Sequence, residues 1–114
     1  MIEKTVYDYL NSRMSAPCYM ERPKKDIPES YIVLERTGGS KTNRLSTATF
    51  AIQSYAPSMF EAAQLNNTMK LAMEQMIEVI NIFSVKLNSD YNYTNNTFKG
   101  YRYQAVYEIT YYEE

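Results

Sequence analysis

The run from Ala48 to Ile80, ATFAIQSYAPSMFEAAQLNNTMKLAMEQMIEVI, holds a strand, a turn and a capped helix in immediate succession. Ala48, Phe50 and Ile52 alternate with Thr49, Ala51 and Gln53, the period of two that gives a strand one buried face. Ser54, Tyr55, Ala56 and Pro57 form the turn. Ser58, Met59, Phe60 and Glu61 read as a capping box. The Ser58 hydroxyl accepts from the Glu61 amide and the Glu61 carboxylate reaches back to the Ser58 amide, so two donors orphaned by the first helical turn are satisfied. Behind the cap, Ala62, Leu65, Met69, Ala72, Met73, Met76 and Ile80 recur at helical spacing and predict one apolar stripe. The expected architecture is a sheet with a helix laid across it.

Working outward, Ile2, Val6, Leu10 and Met14 predict a first helix over 2–14, stopped by Pro17. Cys18, Tyr19 and Met20 are an apolar run suited to an edge strand, and Pro23 and Pro28 keep 21–30 irregular. Tyr31 to Arg36 predicts a strand with Ile32 and Leu34 inward. Thr37, Gly38, Gly39 and Ser40 then start a turn, and the next strand begins near Arg44 or Leu45, which together give an antiparallel hairpin. After the long helix, Phe83, Val85 and Leu87 alternate with Ser84 and Lys86. Asn88 to Gly100 reads as a long loop or as a hairpin extension whose ends pair. In the last strand Tyr103, Ala105, Tyr107, Ile109 and Tyr111 share one face. The order is α-β-β-β-α-β-β: an α+β fold with a mainly antiparallel sheet of four to five strands, one long helix and one short one.

With 114 residues the chain fits a single domain, 1–114, large enough for one core. Cys18 is the only cysteine, so no internal disulfide or thiolate zinc site is expected, and with no histidine the commonest metal ligand and neutral-pH proton shuttle are missing. No signal peptide is visible, and no stretch approaches the roughly 20 apolar residues of a membrane span, so neither export nor a membrane partner is expected. The net charge of −1 argues against a dedicated nucleic-acid binder. These absences point away from an enzyme and from any cofactor.

Gly38, Gly39, Ser40, Lys41 and Thr42 invite comparison with a phosphate-binding loop, but the spacing fails. The residue before Lys41 is Ser40, the position five before that is Glu35, and a strand follows where a helix is needed. A hairpin tip exposing Lys41 and Arg44 to a partner is the better expectation. Seven of the twelve tyrosines fall between Tyr91 and Tyr112. Tyr103 and Tyr107 suit the core. Tyr91, Tyr93, Tyr101 and Tyr112 sit in the loop or at strand ends and suit an interface, where a ring buries area while its hydroxyl keeps a partner. The candidate interface is therefore Gly38, Gly39, Lys41, Arg44, Tyr91, Tyr93, Tyr101 and Tyr112.

Val6-Tyr7-Asp8-Tyr9-Leu10, Pro17, Tyr19-Met20-Glu21, Tyr31 to Gly39, Ala48 to Ala63 and Tyr101-Arg102-Tyr103-Gln104-Ala105-Val106, in that order and spacing, resemble the tail-terminator (tail-completion) family of long-tailed bacteriophages and prophages. The resemblance covers nearly the whole chain and rests on no catalytic motif. It implies a sheet flanked by helices and a virion protein of the tail or neck, assembled in the bacterial host cytoplasm. Its implied partners are itself in a ring, usually hexameric, the major tail tube protein and the head–tail connector or stopper protein. A head–tail joining or head-completion protein and a small prophage-encoded binding module are the alternatives. The resemblance brings no active-site residues.

Overall fold

The structure, a computed structural model, describes residues 1–95 and 100–113. Helix α1 (Ile2–Arg13) is followed by β1 (Cys18–Tyr19), β2 (Tyr31–Thr42), β3 (Leu45–Ala56), α2 (Met59–Glu74), a 3-10 turn (Gln75–Glu78), β4 (Ile82–Asn92) and β5 (Tyr101–Tyr112). The five strands form one sheet in the order β1-β2-β3-β5-β4. Only β1 runs parallel to its neighbour, and every other pairing is antiparallel. The fold is α+β.

One hydrophobic cluster joins the helices to the sheet. Val6, Tyr9 and Leu10 of α1 and Met69 and Met73 of α2 are buried with Ile32 and Leu34, with Ala48, Phe50 and Ile52, and with Ala105, Tyr107, Ile109 and Tyr111. Both helices therefore cover the same face of the sheet. A fully buried side chain of this kind stabilises by about 1.5–3 kcal/mol relative to exposure, so the methionines of α2 carry much of the helix–sheet attachment. At the start of α2, Ser58 is extended (φ −137°, ψ 159°) and its hydroxyl accepts from the Glu61 amide at 3.1 Å, as a helix N-cap requires. The Glu61 carboxylate accepts from the Ser58 hydroxyl at 2.8 Å, where the sequence reading had it reach the Ser58 amide.

Four expectations need correction. Ser54, Tyr55 and Ala56 are strand and not turn: β3 runs on to Ala56, with Tyr55 paired to Tyr31 and Ala56 to Tyr101, so only Pro57 and Ser58 separate it from α2. The Gly38–Gly39 pair does not turn the chain: β2 continues to Thr42, paired along β3, with a bulge between Arg36 and Gly38. The reversal is the two-residue link Asn43–Arg44, with Asn43 at φ 60°, a left-handed geometry that tight hairpins need and Asn tolerates. Ile80 leaves the α2 stripe and is 84% exposed. The helix tightens to 3-10 at Gln75, which changes the period, and Asn81 at φ 71° then reverses the chain into β4. Asn66 takes a buried place on the stripe instead. In β4, register shifts between Ile82 and Ser84 and between Leu87 and Ser89 break the alternation. Ile82 and Val85 pack on the core, while Phe83 is 57% exposed and meets Tyr112 edge-on, ring centroids 6.0 Å apart. The ends of the 88–100 segment do pair, since β4 reaches Asn92 opposite Tyr103; residues 96–99 lie outside the described residues.

Candidate functional site

Because both helices lie on one side, no helix among the described residues covers the other face of the sheet. It is polar in the middle, where Thr47 on β3 shares a hydroxyl hydrogen bond of 3.2 Å with Thr110 on β5. Towards the start of β5 it becomes a joined network. Gln53 and Gln104 are cross-strand partners, and the Gln53 amide donates to the Gln104 carbonyl oxygen at 2.8 Å. The Tyr55 hydroxyl donates to Gln53 at 2.9 Å, Arg102 donates to the Tyr55 oxygen at 3.1 Å, and the Gln104 amide donates to the Tyr91 hydroxyl. Arg102 also donates through Nε to the Tyr93 carbonyl at 2.7 Å, and its guanidinium lies 4.4 Å from the Tyr93 ring centre. Beside it Tyr31 stacks on Tyr55 at 4.7 Å, Tyr19 meets Tyr31 edge-on, and Arg22 reaches over the Tyr55 ring. Such a network holds aromatic rings in fixed orientations.

The structure divides the sequence-predicted interface residues between two ends of the sheet. Lys41 and Arg44 lie at the β2–β3 turn beside Tyr112, the register partner of Leu45. Lys41 pairs with Glu113 at 2.7 Å, which draws the Glu113 carboxyl below its usual range, and the Arg44 carbonyl accepts from the Glu113 amide at 3.4 Å. Gly38 and Gly39 stand within β2: a Cβ at Gly38 would meet nothing, whereas one at Gly39 would lie 2.5 Å from the Arg36 guanidinium and 2.9 Å from the Thr47 carbonyl. Tyr91, Tyr93 and Tyr101 gather at the opposite end, where Tyr101 faces Ala56. At about 3.3 Å per strand residue Lys41 and Tyr91 are roughly 23 Å apart and Tyr112 and Tyr101 roughly 36 Å, so no single small ligand spans both ends; the longest molecular dimension is 44 Å. Tyr91 and Tyr93 pack edge-to-face at 5.7 Å and both are exposed.

Sequence reasoning missed the Gln53–Gln104–Tyr91 network and a second polar cluster on the helix side. There the Asn66 amide donates to Asp90 at 2.7 Å and Lys70 pairs with the same carboxylate, fastening α2 to β4. The polar Asn66 on the α2 stripe is the one signal that pointed to it. Among the described residues no group of three or more His, Cys, Asp or Glu is arranged to hold a metal. Burial pushes the Cys18 thiol up to about 12, which suppresses the nucleophilic thiolate. Burial, helped by the Asp90 and Glu74 charges, raises the Tyr107 phenol to about 12 as well. No protein-family model matches the chain, and no curated protein matches it in sequence.

Proposed function

We propose that this chain is a structural, non-enzymatic subunit of a phage or prophage virion, forming a ring at the head-proximal end of a tail where it terminates the tube and docks to the head connector. One observation carries the reading: helices cover only one face of a long, mainly antiparallel sheet, and although Tyr31, Val33 and Tyr55 are buried on the other face, most of the β2 edge and the β4 edge carry no further strand among the described residues and are available to neighbours. The segments that resemble tail terminators are the middle of α1, Tyr19 of β1, most of β2, β3 from Ala48 on into the first turn of α2, and the first half of β5. They are scaffold elements, as a subunit selected for assembly requires. The partners in this reading are further copies of the chain, the tail tube protein and the connector.

Electron microscopy of particles made without the gene tests it. Overlong, headless tails are the expected outcome. Heads and normal-length tails that fail to join would instead make the chain a joining protein of the same neck. Purified tails that lack the protein altogether would remove it from the virion.

A further inference from the structure

Among the described residues the β4 edge and most of the β2 edge carry no further strand. β1 covers the outer side of β2 only at Ile32 and Val33, so from Leu34 to Thr42 β2 has no outer strand among the described residues, and β4 is the opposite edge. The pairings β2–β3, β3–β5 and β5–β4 are all antiparallel, which makes β2 and β4 run in opposite directions. A second copy set alongside in the same orientation brings its β2 edge to β4 as an antiparallel neighbour.

The backbone groups that point outward follow from the alternation of an antiparallel ladder. The two-residue link at Asn43–Arg44 makes Thr42 and Leu45 a hydrogen-bonded pair. Ser40 and Gly38 therefore also bond to β3, and the amides and carbonyls of Gly39 and Lys41 face outward. On the other edge the Tyr112 amide donates to the Asn81 carbonyl at 2.9 Å, flanking an unbonded Ile82–Tyr111 pair. Ser84 and Lys86 then bond to β5, and Val85 and Leu87 face outward. Bulges limit the regular stretches to Gly38–Thr42 on β2 and Ser84–Leu87 on β4.

We propose that a second copy of this chain docks its β2 edge on β4, with Leu87 opposite Gly39 and Val85 opposite Lys41, through about four backbone hydrogen bonds. This rests on the ring reading and names its junction. The register uses only unbulged residues. Gly39 lies across from Ala48 and Val85 from Ile109, both core positions, so all four outward residues share the helix-covered side and the helices of both copies stay on one side of the continued sheet. Gly39, Ala48, Ile109 and Val85 occupy one rung. Pairing Val85 with Lys41 therefore shifts each copy by about 7 Å along the strands, the kind of stagger a closed sheet requires. The contact is heterologous and can repeat around a ring. Lys86 and the flanking bulges confine pairing to this stretch, as edges that must choose their partner do.

Leu87→Pro and Lys41→Pro each delete an outward amide that bonds nothing within the subunit, a placement an edge strand tolerates. Circular dichroism reports folding, and sedimentation equilibrium at millimolar concentration reports assembly. The wild type should associate, each variant alone should stay monomeric, and an equimolar mixture should stop at a dimer, joining the intact β2 edge of one variant to the intact β4 edge of the other. Association surviving in both variants would overturn the junction but leave the ring reading standing, to be judged on purified tails. Association lost only in Lys41→Pro would replace it with β2-to-β2 pairing, and a wild type monomeric throughout would also overturn it. If a proline variant unfolds, amide exchange on the wild type decides. Gly39, Lys41, Val85 and Leu87 should slow as concentration rises, while Ser40 and Lys86 are protected throughout; concentration-independent exchange at the first four would refute the proposal.

Discussion

Met69→Ala and Ile80→Ala separate the packed stripe of α2 from the one its spacing suggests. Met69 is 0% exposed at the centre of the helix–sheet cluster, while Ile80 is 84% exposed beyond the 3-10 turn. Truncating a fully buried Met costs about 2–5 kcal/mol, the lost transfer energy plus a cavity among neighbours that cannot fully collapse. Met69 is enclosed by the sheet on one side and flanked by Met73 along α2, so a value of about 3 kcal/mol is appropriate. For a chain of this size that corresponds to a fall in Tm of roughly 10–15 °C. Ile80→Ala removes no buried area and should stay within about 0.5 kcal/mol of wild type. Thermal and urea unfolding followed by circular dichroism, with unchanged urea slopes, gives both numbers. An Ile80→Ala loss comparable to that of Met69→Ala would refute the path of the chain from Gln75 to Ile82.

Ser58→Ala removes the N-cap of α2 and should cost about 1 kcal/mol in the same assay; an unchanged midpoint would mean that the cap is not formed in solution. Gly38→Ala should be neutral, whereas Gly39→Ala should cost about 1–3 kcal/mol because the new methyl meets the Thr47 carbonyl, a backbone atom that cannot move aside; equal effects would contradict the close approach. Burial holds the folded-state pKa values of Cys18 and Tyr107 up at about 12, above their ordinary 9.0 and 10.0, so the folded chain keeps protons that the unfolded chain releases. Their contribution is complete below pH 9 and is lost as pH rises through about 12, so the unfolding midpoint should fall over that window and fall less in Tyr107→Phe; a midpoint that rises there would reverse the argument.

Local signals in the sequence suffice where local chemistry decides. The Ser58–Glu61 cap, the alternation of Ala48, Phe50 and Ile52, and the core face of β5 from Ala105 to Tyr111 all depend on neighbours within one turn or one strand, whereas Tyr103, expected in the core, is only half-buried at the open end of β5. The errors fall where a residue's meaning is set at a distance. Two glycines look like a turn, but in β2 Gly39 is needed because Arg36 and the Thr47 carbonyl crowd the space a side chain would fill, and the real turn has no glycine. Phe83 fits an alternating strand until the bulge after Ile82 throws it to the other face. The candidate interface was legible as residue types only. Its division between two ends depends on Leu45 facing Tyr112 and Ala56 facing Tyr101, a register that no local pattern encodes. Gln53 and Gln104 likewise become partners only when β3 and β5 meet.

That meeting of β3 and β5 also sets the order of folding. The β2–β3 and β4–β5 pairs are hairpins between neighbours in the chain, of the kind that form in roughly 1–10 μs. The β3–β5 seam joins them only after α2 and β4 have been brought round between its two strands, at the cost of closing a long loop before any contact repays it. Until it closes, both hairpins present an unpaired strand, and β3 exposes an edge that the finished subunit hides. Refolding should therefore be limited by this seam, and the packing of Phe50 and Ile52 against Tyr107 and Ala105 should be the step at which two independent hairpins become one molecule.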